Sequence, residues 1–192
     1  MKALILDGSE DDQSSLGRTG EFLVEELMKA GYEPFRARLR DLKIDSCKGC
    51  FDCWSKHPGL CNMKDDAVEL TRRLAQSDLL ALLTPVIFGG YGSTVKCALE
   101  RVALPILLPF FEKGNGEIHH PLRYGTPIRL AAVGSLSRND PNSEAIFRNI
   151  LSRNARNFHS PAYAASFVYH GMTTEALRQR AKDTVAAIGV AS

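Results

Sequence analysis

Four cysteines crowd into one short stretch, SCKGCFDCWSKHPGLC, at Cys47, Cys50, Cys53 and Cys61. Thiolates separated by two, two and seven residues can enclose a single metal centre, and a 4Fe-4S cubane asks for four of them. The short gaps make tight turns whose backbone N–H groups can face cluster sulfurs, and Gly49 admits the positive φ that such a turn uses. The long gap returns the chain to the fourth corner. Cys61 is followed by Asn62 rather than proline, so all four ligands can serve one cluster. Three other readings stay open. Zinc favours Cys-x2-Cys pairs held apart by a longer finger, a disulfide framework belongs to smaller secreted chains, and the thiols can stand unligated. Trp54 reads as a shield beside a ligand, His57 as a surface residue, and Cys97, within a helical pattern, as a small buried apolar side chain.

Two further loops carry chemistry. In GSEDDQSSLGRT, Ser9, Ser15 and Thr19 offer hydroxyl donors and Arg18 a charge-assisted pair, just before and within the start of a helix. This is neither the dinucleotide fingerprint nor a P-loop, and a single monophosphate fits it better. Glu10, Asp11 and Asp12 repel an anion unless they turn outward, and a polar capping loop is the competing reading. In TPVIFGGYGS, Pro85 ends a strand, and Gly89, Gly90 and Gly92 let the backbone approach a flat ligand. Such a loop can lay N–H groups along a flavin's pyrimidine edge, with Phe88 and Tyr91 against the ring; a purely structural glycine turn is the alternative. Gly134 and Ser135 face the same rim. His119 and His120 are adjacent on a long connection and read as solvated rather than metal-ligating. No Ser-His-Asp or Cys-His nucleophile set stands out.

These loops need rigid elements behind them, and the chain alternates strand and helix patterns. Strands are expected over 2–7, 33–39, 79–84, 127–133 and 163–169, with helices over 19–30, 65–75, 93–103, 142–157 and 174–188. Asp65 and Asp66 suit the positive end of a helix dipole. Five strands alternating with helices imply a parallel sheet covered on both faces by right-handed crossovers. Ligands of such sheets sit beyond the carboxyl ends of the strands, where strand order reverses.

At 192 residues the chain suits one domain over 1–192, with an elaborated cysteine loop at 45–64 and a long connection at 105–126. The apolar PILLPFF of that connection offers surface for a subunit contact. A net charge of +2 and scattered basic residues give no nucleic-acid footprint. No apolar stretch reaches membrane-spanning length and the N-terminus lacks a signal-peptide pattern, so a reducing cytoplasm is expected.

The order Gly8-Ser9, Cys-x2-Cys-x2-Cys-x7-Cys, Lys64-Asp65-Asp66, Pro85-Val86-x-x-Gly89 and Lys96-x4-Arg101 resembles the iron-sulfur flavoproteins within the flavodoxin-like NADPH-dependent FMN reductase superfamily. The match spans roughly residues 1–101. The resemblance implies an α/β flavodoxin-like three-layer sandwich whose five-stranded parallel sheet has order 2-1-3-4-5, with the cysteine-rich loop after strand 2. It also implies FMN at the switch point, one 4Fe-4S cluster on Cys47, Cys50, Cys53 and Cys61, and a homodimer or dimer of dimers. Ser9, Arg18 and Thr19 become phosphate contacts, while Pro85, Val86, Phe88, Gly89 and Gly90 surround the flavin. The chain departs from the family pattern at Glu10-Asp11-Asp12, at Ile87 where tyrosine is frequent, and at Glu100 where aspartate is usual. The function implied is an FMN-dependent iron-sulfur oxidoreductase fed by a ferredoxin-like one-electron donor or NAD(P)H. The alternatives are a cluster-free NAD(P)H-dependent FMN or quinone reductase and a non-catalytic flavodoxin-like electron carrier.

Overall fold

A computed structural model describes residues 1–114 and 116–189. In chain order the elements are β1 (Lys2–Asp7), α1 (Ser15–Lys29), β2 (Glu33–Arg38), α2 (Ala67–Leu74), β3 (Leu79–Ile87), β4 (Gly90–Tyr91), α3 (Ser93–Ile106), β5 (Glu112–Gly114), β6 (Glu117–His119), β7 (Arg129–Leu136), α4 (Pro141–Asn157), β8 (Tyr163–Tyr169) and α5 (Thr174–Ala187). The main sheet runs β2-β1-β3-β7-β8, all parallel. This is the expected 2-1-3-4-5 order. Two additions were not expected: β4 folds back antiparallel on the end of β3, and β5 pairs with β6 as a separate hairpin inside the long connection.

The central strands are continuous apolar runs because helices bury both of their faces. Side-chain alternation then deals their residues to two cores. Leu4, Leu6, Leu80, Leu82, Leu130 and Ala132 join the core under α2, α3 and α4. Ala3, Ile5, Leu79, Ala81, Leu83, Ala131 and Val133 join the one under α1 and α5. Ser14 caps α1 by accepting from the Gly17 N–H, and Gly31 takes φ 80° just beyond its end.

Several boundaries moved for local reasons. Helix α1 starts at Ser15 because Ser14 is the cap, and α3 continues through Pro105 to Ile106. Strand β3 runs past Pro85 because β4 supplies a new partner at Val86 and Ile87. The PILLPFF run is split: Pro105, Ile106 and Leu107 are buried in the molecule's own interior, leaving Phe110 and Phe111 exposed. Among the described residues, no helix is long and apolar enough to cross a membrane.

Candidate functional site

The cysteine loop is closed at its base by its own flanking acids. Asp66 accepts from the Lys43 N–H at 2.7 Å and Asp65 from the Asp45 N–H at 3.0 Å. They therefore tie the loop shut, and they also sit at the start of α2 as expected: Asp66 is its N-cap, and Asp65 accepts from the Ala67 N–H at 3.3 Å. One face of α3 carries the loop. Trp54 Nε1 donates to the Leu104 carbonyl at 2.8 Å, and Arg101 donates to the Asp45 carbonyl at 2.5 Å and to Cys61 Sγ at 3.5 Å. Cys97, half-buried on the same face, lies under the loop's root, 4.0 Å from the Ile44 carbonyl. From the other side, the connection 107–126 closes in. Trp54 packs against His120 at 5.2 Å between ring centroids, and Arg123 reaches the Cys53 carbonyl at 3.4 Å.

Gly49 adopts φ 66°, as its place between Cys47 and Cys50 anticipates, and Phe51 adopts φ 55°. Cys47 and Cys50 are exposed, Cys61 is half-buried and Cys53 is buried. Burial pushes the Cys53 thiol up; a backbone hydrogen bond opposes this, while nearby Cys61, then Cys47 and Cys50, reinforce it. The four sulfurs thus share one electrostatic neighbourhood. Among the described residues, no three of them lie within 4.8 Å of one another. The donor set suits a thiolate-bound cluster, although the loop does not converge on one point.

Arg101 is the residue that spacing alone did not mark as part of this site. Its guanidinium is buried and grips Asp65 with two bonds of 2.6 and 2.8 Å. Burial alone would push the Asp65 carboxyl up, but the Arg101 bonds and the Asp45 and Ala67 amides leave it below its usual range.

The loop after β1 resolves the question posed by its acids. Asp11 Oδ1 accepts from the Gln13 and Ser14 N–H groups at 2.8 and 2.6 Å. Asp12 turns toward β2 and its following turn, where Arg40 meets it at 2.8 Å, Arg38 at 3.1 Å and Arg36 at 3.4 Å. Hydrogen bonds from Arg40 and Arg38 hold the Asp12 carboxyl below its usual range. Arg36 also binds buried Asp7 at 2.8 Å. Asp11 and Asp12 are therefore already satisfied by the chain, and Glu10 is exposed.

The expected phosphate contacts separate. Thr19 is buried and donates its hydroxyl to the Ser15 carbonyl at 2.7 Å. The Arg18 guanidinium bonds to Thr174 Oγ1 on α5. Ser9 is buried beneath Arg40, whose Nη1 lies 3.1 Å from its hydroxyl. Ser15 is half-buried at the first position of α1, where helix geometry leaves N–H groups without an intrahelical partner. Arg40, then, is the cation nearest the Ser9 hydroxyl. Its signal in the sequence was the alternation Arg36, Arg38, Arg40 running out of an edge strand.

The glycine turn is a two-residue hairpin. Ile87 pairs with Gly90, while Phe88 and Gly89 at the tip have φ 49° and 77°. Two consecutive positive φ values define the tight hairpin in which Asn-Gly is usual, so a phenylalanine there is costly. Its ring is 99% exposed, next to exposed Ile87. Buried Thr84 secures the turn by accepting from the Gly92 N–H at 2.9 Å and donating to the Pro85 carbonyl at 2.9 Å. Pro85 and Val86 are half-exposed along the rim and Gly90 keeps its backbone accessible, whereas Gly89 is buried against Ile146. Tyr91 points inward, its hydroxyl accepts from Asn154 Nδ2 at 2.9 Å, and burial lifts the pKa of that hydroxyl to about 12. It belongs to the core rather than to the ring contacts. Gly134 is buried as well: an added Cβ would sit 2.6 Å from Val86 Cγ2 and 3.0 Å from the Phe167 ring. Ser135 remains half-exposed at the rim.

A doubly wound parallel sheet with loops at the carboxyl ends of its first and third strands, and a thiol-rich loop after its second, defines a flavodoxin-like fold. Residues 1–171 match the family described as NADPH-dependent FMN reductase, and the chain belongs to that family. An iron-sulfur flavoprotein of Archaeoglobus fulgidus is 33% identical over 101 residues, which cover 53% of this chain and 48% of that one. An iron-sulfur flavoprotein of Methanocaldococcus jannaschii is 27% identical over 137 residues, covering 71% and 61%. The aligned stretch thus spans about half the length of the first of these relatives. Among solved structures, the NAD(P)H:quinone oxidoreductase from Methanothermobacter marburgensis superposes with a TM-score of 0.70 at 14% identity, covering 95% of this chain and 96% of that one. An azoreductase from Bacillus anthracis gives 0.67 at 8%, covering 98% of each. At these identities the likeness is one of fold.

Proposed function

We propose that this chain is an FMN-dependent oxidoreductase in which Cys47, Cys50, Cys53 and Cys61 hold a 4Fe-4S cluster. The observation that carries the reading is the placement of two ligand loops on one helix. Helix α3 begins at Ser93, after the short β4 that returns from the Phe88-Gly89 turn, and supports the cysteine loop through residues 97, 101 and 104. From Ser93 to Arg101 the helix rises only about 12 Å. Family membership and the iron-sulfur flavoproteins among its relatives support both cofactors.

When bound, FMN supplies one- or two-electron chemistry and the cluster single-electron exchange. The chain's own residues would do the rest. Ser15 and the first N–H groups of α1 would hold the phosphate together with Arg40, while Asp11 and Asp12 stay turned onto their own partners. The backbone around Gly90, with Val86 and Ile87, would face the ring. Arg101 presents an N–H to Cys61 sulfur, the kind of hydrogen bond that raises a cluster's potential. A ferredoxin-like carrier or NAD(P)H would deliver electrons to a homodimer whose contact surface includes Phe110 and Phe111.

The test is an anaerobic spectrum with iron, sulfide and flavin counted per chain, for the wild type and for Cys50→Ser and Cys53→Ser. Both variants should lose most of the cluster absorbance and keep FMN, because a hydroxyl replaces thiolate poorly on iron. Full iron and sulfide in both variants would remove the cluster assignment. A flavin-only wild type would favour the quinone-reductase alternative, in line with the fold neighbours.

A further inference from the structure

The hairpin in the long connection brings three ligand atoms to one point, away from the cysteine loop. Glu112 opens β5 and His119 closes β6, so antiparallel pairing sets them directly opposite each other. His159 follows the end of α4 in the left-handed region at φ 48°, a position where a helix more often ends in glycine. Its imidazole meets the hairpin there, with the His119 and His159 rings edge to face at 4.9 Å between centroids. His119 Nε2 lies 3.1 Å from Glu112 Oε1, and His159 Nε2 lies 3.3 Å from the same oxygen. All three donor atoms fall within 4.8 Å of one another.

We propose that Glu112, His119 and His159 bind a first-row divalent cation, zinc above all, which clasps the 107–126 connection to the end of α4. A tetrahedral zinc with bonds of about 2.0 to 2.1 Å separates its ligands by about 3.3 Å, and both measured edges to Glu112 match. Two imidazoles and a carboxylate are also one of the donor sets that zinc takes in three-ligand sites. The His120 carbonyl lies 3.1 Å from His159 Nε2, and water can supply the fourth ligand. Any proton on either Nε2 leaves to solvent as the metal takes the lone pair. The nearby cations do not oppose this charge, since Glu117 already pairs with Arg153 at 2.6 Å and Arg156 at 2.9 Å.

The clasp has a structural consequence. His120, next in the chain, packs its ring at a tilt against Trp54 of the cysteine loop and against Phe111, so fixing His119 also fixes one wall of that loop. The competing arrangement is a histidine–carboxylate hydrogen-bond cluster without metal.

The experiment equilibrates the intact protein, cofactors as isolated, with zinc at about 10 μM, and measures zinc per chain and the zinc K-edge absorption spectrum. The variants are His119→Gln, His159→Asn and Glu112→Gln. Asparagine is chosen because it tolerates the left-handed backbone, and Glu112 is exposed, so its substitution leaves folding intact. About one zinc per chain is expected, with a nitrogen/oxygen shell near 2.0 to 2.1 Å and affinity at least ~10-fold weaker in each variant. Zinc should also slow tryptic cleavage after exposed Lys113 in the wild type and not in Glu112→Gln. No uptake, uptake unchanged in Glu112→Gln and in either folded histidine variant, or a sulfur shell near 2.3 Å overturns the proposal. The sulfur shell would place the zinc in the cysteine loop.

Discussion

In the structure Arg40, not Arg18, lies over the Ser9 hydroxyl. Arg18 lies within the loop's own helix and was the natural partner for a phosphate, but its guanidinium is bonded to Thr174 on α5. Arg40, far along the chain, covers Ser9 instead. Arg40→Ala should therefore weaken FMN roughly 10- to 100-fold while barely changing riboflavin, since a charge-assisted bond to phosphate is worth about 1.5–3 kcal/mol. Arg18→Ala should weaken both ligands little. Flavin fluorescence titration of the apoprotein checks both, and equal losses of FMN and riboflavin in Arg40→Ala would remove it from the phosphate site. A linear reading favours Arg18 because it sees neighbours in sequence; Arg40 arrives through parallel pairing of β1 with β2, which motif spacing does not encode. The acids posed the same problem, since their fate depends on arginines across the sheet.

At the scale of elements, α3 joins the two loops, and its buried Arg101–Asp65 pair is what fastens the second. Removing one member leaves an uncompensated buried charge, so Arg101→Met should cost about 3–5 kcal/mol in urea unfolding. The double variant Asp65→Asn, Arg101→Met should lose less, because asparagine still accepts from the Asp45 amide. The pH dependence follows from the lowered Asp65 carboxyl. A folded value below the unfolded one, about 3.9, gives stabilisation that is complete above that value and disappears as pH falls through the folded value. Melting temperatures between pH 2 and 5 should thus fall more steeply in the wild type than in Asp65→Asn. Equal slopes would mean that other carboxylates dominate acid unfolding. Gly134 makes a packing prediction on the neighbouring strand: Gly134→Ala should destabilise by about 1–3 kcal/mol through contact with Val86 and Phe167. The strands were legible in the sequence because each is a continuous apolar run or an alternation, and their alternation with helices implies a parallel sheet; the order 2-1-3-4-5 came from the family resemblance. The β4 return, the β5–β6 hairpin and the buried ion pair were not, because each depends on long-range contacts rather than on a local period.

At the scale of the whole molecule, the exposed apolar side chains are unevenly placed. Phe110, Phe111 and Ile118 protrude from the connection, and Ile87 and Phe88 from the turn. A strained, solvent-facing Phe88 gains from burial against a second copy, as do the two phenylalanines that the core leaves out. Sedimentation should therefore show a dimer that Phe110→Asp with Phe111→Asp shifts toward monomer. The cysteine loop and the Phe88-Gly89 turn lie on one helix yet project from separate loops, so if the proposed flavin sits at that turn, the electron route in a dimer can run between chains. Mixing a cluster-deficient Cys50→Ser chain with a flavin-deficient Gly90→Trp chain distinguishes the routes. In an equal mixture half of the dimers are mixed, and each carries one complete pair only if transfer crosses the interface. About a quarter of wild-type turnover with a one-electron donor is then expected, while each variant alone stays inactive. A fully active monomer, or a mixture no better than its separate components, would place cluster and flavin of one chain in direct exchange.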